Sequence, residues 1–214
     1  MDKKTNKTLI ISTILCLLPI VLGLVLYESL PDEIAIHFDS AGRPDNYLPK
    51  ALAVFGLPVL LAAINVYLHF RLNSDPRREN ASASLKAASR WALPLIALVL
   101  MPVTLFMAMG SPLPVVMVAK AMAGLVIAVC GNYLPKCRRN FTVGIRLPWT
   151  LASDENWRRT HRFAGFVWVT GGLIMTGDAF LSIPYVSLIV IVLLVVLPSV
   201  YSYVTYMNQD KKGE

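Results

Sequence analysis

Six apolar stretches, each close to the length of a membrane span, constrain this chain more than any other feature. An α-helix of about 20 apolar residues crosses the hydrocarbon core of a bilayer. Of the 214 residues, 56% are hydrophobic and only 15% are charged, whereas about 25% of the residues of a soluble domain are charged. The sequence therefore predicts an all-α integral membrane protein with six transmembrane helices, at residues 8–27, 51–70, 91–109, 115–134, 161–180 and 185–206.

The distribution of Lys and Arg predicts how these helices are oriented. Arg43 and Lys50 lie between the first two spans and Lys120 lies within the fourth; the other 17 of the 20 basic residues lie in segments that six helices place on one side. Basic residues favour the cytoplasmic side, so both termini are predicted to be cytoplasmic. We expect the first span to be retained, because no A-x-A cleavage pattern follows it.

The net charge of +7 has the same explanation. A basic soluble protein would suggest nucleic acid as a partner, but here the charge follows the membrane topology. No nucleic-acid-binding motif accompanies it. We therefore expect no direct binding of nucleic acid.

The loop between the first two spans, residues 28–50, is predicted to lie outside and to be folded, because prolines and a glycine punctuate it. Every second residue from Ile34 to Phe38 is a large apolar one, which predicts a short strand-like piece on the membrane surface. Its polar residues have three interpretations. They form a satisfied polar turn, or His37, Asp39 and Asp45 coordinate a cation, or the excess of acids receives a cationic or amphipathic peptide.

A second segment, residues 131–165, is predicted to be cytoplasmic and to lead directly into the fifth helix. Ser153 is a good N-cap, and Asp154 and Glu155 then lie in the first turn, where the helix dipole favours acids. We expect one face of this helix to pack on the bundle, because it carries aromatic and small residues at helical spacing. These residues are Trp157, His161, Ala164 and Trp168.

This segment has two interpretations. Arg and Trp anchor helices at the cytoplasmic interface, and Arg158, Arg159 and Arg162 are expected to turn toward lipid phosphates. The loop is nevertheless longer than a turn requires, and it is rich in glycine, proline, tryptophan and polar residues, which favours a functional role. These residues are Asn140, Gly144, Arg146, Pro148, Trp149 and Thr150.

Polar residues within or near the spans keep an alternative function open. They are Asn65, His69, Lys120, Asn132 and Asp178. An ionisable residue in a membrane is a functional candidate by default, although most of these lie near span ends and Lys120 is within snorkelling reach. The alternative function is a small membrane transporter or channel.

Residue types that would support catalysis are sparse. His37 and His161 are predicted on opposite sides of the membrane, and the sequence has no H-E-x-x-H, G-x-S-x-G or Cys/His ligand pair. The three cysteines, Cys16, Cys130 and Cys137, imply no disulfide framework. The sequence therefore predicts no catalytic residue, no metal site, no cofactor and no enzymatic activity.

Two runs of residues resemble known family signatures. Residues 131–165 read GNYLPKCRRNFTVGIRLPWTLASDENWRRTHRFAG and contain, in order, a G-N, an N-x-x-x-G-I-R-x-P-W-T and a W-x-x-T-H-R-x-x-G. This run resembles the signature of the SdpI family of bacterial immunity proteins. The run LPDEIAIHFDSAGRPDNYLPK is similar to the P-x-x-I-x-x-H-F-x-x-x-G-x-x-D stretch of the domain of unknown function that accompanies this family.

The resemblance implies a multi-pass protein of the bacterial plasma membrane that protects the cell against a secreted, membrane-depolarising peptide. It also implies a receptor that holds a transcriptional repressor at its cytoplasmic face. The implied partner-binding positions are Asn132, Asn140, Gly144, Arg146, Pro148, Trp149, Thr150, Trp157, Thr160, His161, Arg162 and Gly165. The implied toxin-facing positions are His37, Phe38, Asp39, Gly42 and Asp45.

The expected organisation along the chain has three parts. Residues 8–70 form an N-terminal two-helix module that includes the outer loop 28–50. Residues 71–90 form a cytoplasmic linker loop. Residues 91–206 form a four-helix module similar to SdpI, with the motif loop at 135–162. The expected partners are the lipid bilayer, a secreted peptide toxin outside and a repressor protein inside.

Overall fold

The computed structural model describes residues 3–39 and 43–210. The helices are α1 (Lys3–Leu17), α2 (Pro19–Leu26), α3 (Leu57–Ser74), α4 (Ala83–Ala108), α5 (Val115–Tyr133), α6 (Pro148–Ala152), α7 (Asp154–Leu181) and α8 (Val186–Asp210). The strands are β1 (Glu33–Phe38) and β2 (Pro44–Pro49), which pair antiparallel. A π-helical turn, Leu52–Gly56, leads into α3.

Six helical segments are long and apolar enough to cross a membrane, within the part of the chain that the structure describes. They are Asn6–Ser29, Leu52–Ser74, Ala83–Ala108, Val115–Lys136, Asp154–Leu181 and Val186–Gln209. A helix satisfies its own backbone hydrogen bonds, which is what the absence of water in the bilayer core requires. The predicted fold class, six spanning helices with one short strand-like loop, is confirmed; the side on which the termini lie stays a prediction.

Helices α4 and α8 contain internal prolines and continue through them. Pro94 and Pro102 lie within α4, and Pro198 lies within α8. Pro19 begins α2, and the preceding Leu18 keeps right-handed helical backbone angles. Each proline removes one backbone hydrogen bond, which neighbouring groups can replace in a bundle.

The chain divides into two compact units. The first comprises residues 1–70 and 89–122. Its core contains Leu30, Ile34, Val54 and Leu105, which are 4% exposed or less. Because Ile34 belongs to β1, the small sheet is fixed to the helices of this unit through that residue.

The second unit comprises residues 71–88 and 123–214. Helices α5 and α7 approach each other closely at Gly124 and Gly172, where a Cβ on Gly172 would lie 2.5 Å from the Gly124 carbonyl oxygen. Small residues let membrane helices approach this closely. Met175 of α7 packs with Val190 and Leu194 of α8 in a second buried cluster. The three-part organisation predicted along the sequence stays a prediction.

Two of the polar residues inside the spans are explained by local hydrogen bonds. Buried Asn65 donates to the hydroxyls of Ser12 (2.9 Å) and Thr13 (3.1 Å) within the first unit. Buried Asp178 accepts from the Ile183 amide (2.9 Å) and the Ser187 hydroxyl (3.2 Å), across the turn between α7 and α8. Hydrogen bonds of this kind offset the cost of burying polar groups in lipid.

Candidate functional site

The motif region, residues 134–165, is a hydrogen-bonded segment that belongs wholly to the second unit. It runs from the end of α5 through an irregular stretch and the short helix α6 into α7. Five of its predicted site residues are no more than 2% exposed: Asn140, Thr150, Trp157, Thr160 and His161. Buried polar side chains are costly unless paired, so their partners determine what the region can do.

Asn140 organises the irregular stretch. Its amide nitrogen donates to the Arg138 carbonyl (2.9 Å) and to the Cys137 sulfur (3.1 Å). Its amide oxygen accepts from the backbone N–H groups of Thr142 (3.0 Å) and Val143 (2.7 Å). One side chain thus satisfies backbone groups on both sides of itself, which fixes a turn that has no regular secondary structure.

The buried side chains of Trp157 and His161 stack on each other and bind the irregular stretch. Their rings stack with centroids 3.9 Å apart. The Trp157 indole N–H donates to the Cys137 carbonyl (2.8 Å). The Ile145 amide donates to His161 Nε2 (3.0 Å), and His161 Nδ1 lies 2.8 Å from the Trp157 carbonyl. Because a carbonyl only accepts, this pattern requires a neutral imidazole with its proton on Nδ1.

Gly144 crosses directly over this stack. Its φ is +112°, a conformation that residues with a side chain rarely adopt. A Cβ at this position would overlap His161 Nε2 and lie 3.2 Å from the Trp157 ring. The glycine of the G-I-R motif is therefore required by both backbone conformation and space.

Thr150 closes the turn that begins α6. Its hydroxyl accepts from the Leu147 amide (2.9 Å) and lies 2.8 Å from the Ile145 carbonyl, to which it donates. Pro148 is the first residue of α6, where its fixed φ suits a helix start. The P-W-T part of the motif is therefore the start of α6, where the Thr150 hydroxyl pairs with the backbone groups of Ile145 and Leu147.

The motif residue Trp149 binds the region to α8 directly, and Thr160 does so through Asn156. The Trp149 indole N–H donates to the Ser202 hydroxyl (2.9 Å), and its ring contacts Tyr203 and Tyr206. Asn156 donates to the Ser202 carbonyl (3.0 Å) and accepts from Thr160 (2.9 Å). Trp149 and Thr160 are therefore packing residues in this structure.

The amino-terminal part of α7 is formed as predicted. The Ser153 hydroxyl accepts from the Asn156 amide (3.2 Å), and α7 continues without interruption from Asp154 to Leu181. Further along, a Cβ on Gly165 would lie 2.6 Å from the Pro135 ring, so this glycine permits a close approach. Trp157, His161 and Ala164 are buried on the predicted face. Trp168 of the same face donates to the Leu194 carbonyl (3.0 Å).

The exposed residues of the motif region are mainly cationic. Arg146, Arg162 and Pro148 are exposed, as is Asn132 of α5, which lies just before the region. Arg146 donates to the Phe141 carbonyl (2.7 Å). Arg158 and Arg159 are expected from the sequence to turn toward lipid phosphates. In the structure each of them also forms an ion pair with Glu155, at 2.9 Å and 2.6 Å.

Sequence reasoning missed two residues of the segment 71–88, which comprises the end of α3, the connection 75–82 and the start of α4. Asp75 accepts from the Phe141 amide (2.8 Å) and the Thr142 hydroxyl (2.6 Å). Asn80 donates from its side chain to the Arg139 carbonyl (2.6 Å), and its own carbonyl accepts from the Arg138 amide (2.9 Å). Neither residue lies near the motif in the sequence, so periodicity and spacing offered no signal for the contact.

Asp75 is buried as an ion. Burial by itself would raise the pKa of Asp75, but the hydrogen bonds from the Thr142 hydroxyl and from the amides of Arg77, Phe141 and Thr142 outweigh it and lower the pKa below its ordinary value. Hydrogen bonds to a carboxylate stabilise its charged form. Asp75 is therefore a charged acceptor at neutral pH.

The hairpin, strands β1 and β2, holds the other set of predicted residues. The register shifts between Ala35 and His37, so the expected alternation fails: Ile34 and Ala35 are both buried, and Ile36 is 37% exposed. An irregular register of this kind turns neighbouring side chains to the same face. Phe38 is half-buried at the end of β1.

Polar contacts of the hairpin lie at its surface. His37 Nδ1 and Asp45 Oδ1 are 2.5 Å apart. Asp39 pairs with Arg43 at 2.9 Å. Among the described residues no group of three or more His, Cys, Asp or Glu is placed to hold a metal ion, so His37, Asp39 and Asp45 do not assemble as the cation site considered above. Gly42 lies outside the described residues.

Comparisons with known proteins agree with this division into a hairpin and a motif region. Residues 136–202 match the model of the SdpI/YfhL protein family, and residues 14–62 match a domain of unknown function (DUF1648). Immunity protein SdpI of Bacillus subtilis (strain 168) is 31% identical over 203 residues, which cover 95% of this chain and 96% of that protein. No solved structure gives a significant match.

Proposed function

The chain belongs to the SdpI/YfhL family, and from that premise we propose that it is a multi-pass membrane immunity protein that protects its cell against a secreted, membrane-depolarising antimicrobial peptide. The supporting observation is the 31% identity to an immunity protein over 95% of this chain. The aligned length includes most of the hairpin and the motif region together. The six apolar helices place the protein in the bacterial cell membrane.

In this proposal the hairpin is the surface that receives the peptide, on the outer side. Its polar side chains are exposed, with 66% of the His37 side chain and 44% of the Asp45 side chain accessible. Glu28, Glu33 and Asp32 add negative charge in the same loop. An acidic surface attracts a cationic or amphipathic peptide, and exposed ion pairs can exchange partners at little cost.

The motif region is the proposed docking surface for a repressor protein on the cytoplasmic side. Its buried residues hold one another, whereas Arg146, Arg162 and Phe141 remain exposed. Such a surface presents cationic and aromatic groups from a rigid support, a combination typical of protein interfaces. Anchoring to lipid phosphates is the competing role.

Helix α7 offers a physical connection for a receptor. It starts at Asp154 within the motif region and continues to Leu181 as one helix. A peptide outside can change the inner surface only if it binds two arrangements of the bundle with different affinity. In this proposal α7 is the element that differs between the two arrangements.

Expression in a strain that is sensitive to a related peptide toxin tests the immunity role. Cells that make the chain should survive a toxin concentration that kills cells with an empty vector. His161→Ala should reduce this protection, because it removes the acceptor of the Ile145 amide, while Glu79→Gln, at an exposed site, is the matched control. Unchanged killing by every related peptide, with the chain detected in the membrane, contradicts the proposal.

A separate experiment tests the docking role. A fluorescent fusion of a candidate repressor protein should move to the membrane when toxin is added. Arg146→Ala and Arg162→Ala should abolish this movement while leaving the protein in the membrane at normal levels. Full recruitment by both variants would leave the exposed arginines with an anchoring role.

A further inference from the structure

The segment 71–88 lies outside both segments matched by family models, which cover residues 14–62 and 136–202. The structure nevertheless packs it against the motif region. Ala81 and Leu85 form a buried cluster with Cys137, and the partly buried Tyr133 and Val143 pack on it. A connecting segment with its own buried cluster is packed in place, rather than being a flexible link between two modules.

Asp75 makes the most specific contact in this segment. It is 6% exposed. One carboxylate oxygen accepts from the Arg77 amide (2.7 Å), and the other accepts from the Phe141 amide (2.8 Å) and the Thr142 hydroxyl (2.6 Å). A charge-assisted hydrogen bond is about twice as strong as a neutral one. Asp75 is thus the charged acceptor on which the backbone at 141–142 is fixed.

The consequences of this contact extend through the motif. Phe141, held by its amide, has the carbonyl that accepts from Arg146. Thr142, held by its hydroxyl, donates its amide to Asn140. The same stretch continues to Gly144 and to the Ile145 amide that donates to His161. The orientation of Arg146 and the closure of the turn over His161 therefore depend on residues that Asp75 holds.

We propose that Asp75 is a positioning residue of the motif region: its carboxylate holds residues 140–146 in the conformation that presents Arg146, so that the segment 71–88 contributes to the site through Asp75 and through the packing of Ala81 and Leu85. The consequence for immunity rests on the function proposed above, whereas the positioning itself does not. Asp75 acts through Phe141 and Thr142 and needs no contact with a partner.

Cys137 provides a reporter within the chain itself. Its side chain is 4% exposed, beneath Ala81 and Leu85, and Asn140 donates to its sulfur. Burial raises the pKa of the Cys137 thiol, so the intact protein should react slowly with a maleimide. Cys16, which is 0% exposed in the first unit, serves as an internal control for general loosening.

The experiment compares Asp75→Asn with Glu79→Gln in the purified full chain, in a Cys130→Ala background. Asn replaces one acceptor oxygen by an N–H donor, which must then face another donor. The labelling rate of Cys137, read by peptide mass spectrometry, should rise about tenfold or more in Asp75→Asn. In Glu79→Gln, an exposed acid of the same segment, it should stay within about twofold. The rate at Cys16 should not change in either.

Thr142 supplies the conservative rescue. Thr142→Val removes the hydroxyl donor and keeps the shape, so it should also speed labelling at Cys137, whereas Thr142→Ser keeps the hydroxyl and should restore protection. The Asp75→Asn and Thr142→Val effects should be less than additive, because both remove the same contact. Equal protection of Cys137 in Asp75→Asn, or a parallel rise at Cys16, overturns the proposal.

Failure of this inference can be told apart from failure of the proposed function. In the toxin-sensitive strain, Asp75→Asn should protect less well than Glu79→Gln at equal membrane levels. If the unmodified chain gives no protection, the immunity role fails while the labelling result still decides the positioning. If the chain protects and Cys137 stays closed in Asp75→Asn, only the positioning role fails.

Discussion

The hairpin and the motif region are both dense in polar residues, but they use them in opposite ways. In the hairpin, His37 and Asp45 pair at the surface, with side chains 66% and 44% exposed. In the motif region, Asn140 and His161 are 0% exposed and each bonds to backbone groups. A surface pair adds little stability because water screens it, whereas a buried polar network is costly to break.

This difference separates what a substitution should disturb. A change in the motif region removes a partner from a buried group and should lower the free energy of unfolding. A change in the surface polar pairs of the hairpin should leave folding almost intact and act on recognition. The four predictions below test this contrast by equilibrium unfolding of the purified protein in mixed micelles, from the largest expected effect to the smallest.

Trp157→Ala should be the most destabilising substitution. It removes a buried ring that stacks on His161 and an N–H that donates to the Cys137 carbonyl. Truncation of a buried Trp to Ala costs about 3–5 kcal/mol, so the unfolding free energy should fall by that amount. Trp157→Phe, which keeps a ring but loses the N–H, should cost less. If Trp157→Ala lowered the unfolding free energy by less than Asp45→Asn in the hairpin does, the contrast between the two regions would be wrong.

Gly144→Ala should come next, with Gly110→Ala as its matched control. Both glycines have positive φ, at +112° and +88°. Only at Gly144 would the added Cβ meet His161, since nothing lies within 4 Å of a Cβ at Gly110. Both variants should lose about 1 kcal/mol or more through backbone strain, and Gly144→Ala should lose clearly more. Equal losses would mean that the contact with His161 is easily relieved.

The dependence of the unfolding free energy on pH should identify Asp75 as a charged residue of the folded protein. Its folded pKa lies below the ordinary value of 3.8, so its charged form stabilises the folded protein above that pH. The stabilisation should be lost as the pH falls below 3.8 through the folded pKa. The difference in unfolding free energy between the natural chain and Asp75→Asn should therefore be constant near neutral pH and shrink in acid. A difference that is independent of pH would exclude a charged Asp75.

Asp45→Asn in the hairpin should have the smallest effect on folding. It weakens an exposed pair with His37, and surface pairs contribute about 0–1 kcal/mol. The unfolding free energy should change by less than about 0.5 kcal/mol. Under the proposed function, protection against the toxin should still fall. A large loss of stability would show that the hairpin, too, depends on its polar contacts for folding.

Much of the fold could be predicted from the sequence because spanning helices follow from local composition. The Ser153 N-cap and the continuous α7 were also predictable, since a cap and the helix it begins are neighbours in the chain. The alternation of apolar residues in β1 did not predict which of its side chains are buried. A register shift at Ile36 depends on pairing with β2, which no single-strand pattern contains.

The sequence by itself determined that six helices span the membrane and which segment has the family's spacing, although α4 begins at Ala83 and α7 at Asp154, before the spans predicted from residues 91 and 161. Hydropathy and capping act over a few residues, so they can be read along the chain. Only the tertiary structure decided what the motif residues do. It buried Asn140 and His161 against backbone groups, and it brought Asp75 from the segment 71–88 to Thr142, 67 positions away. Contacts at that separation are selected by packing and by the need to satisfy buried polar groups, and neither leaves a local pattern.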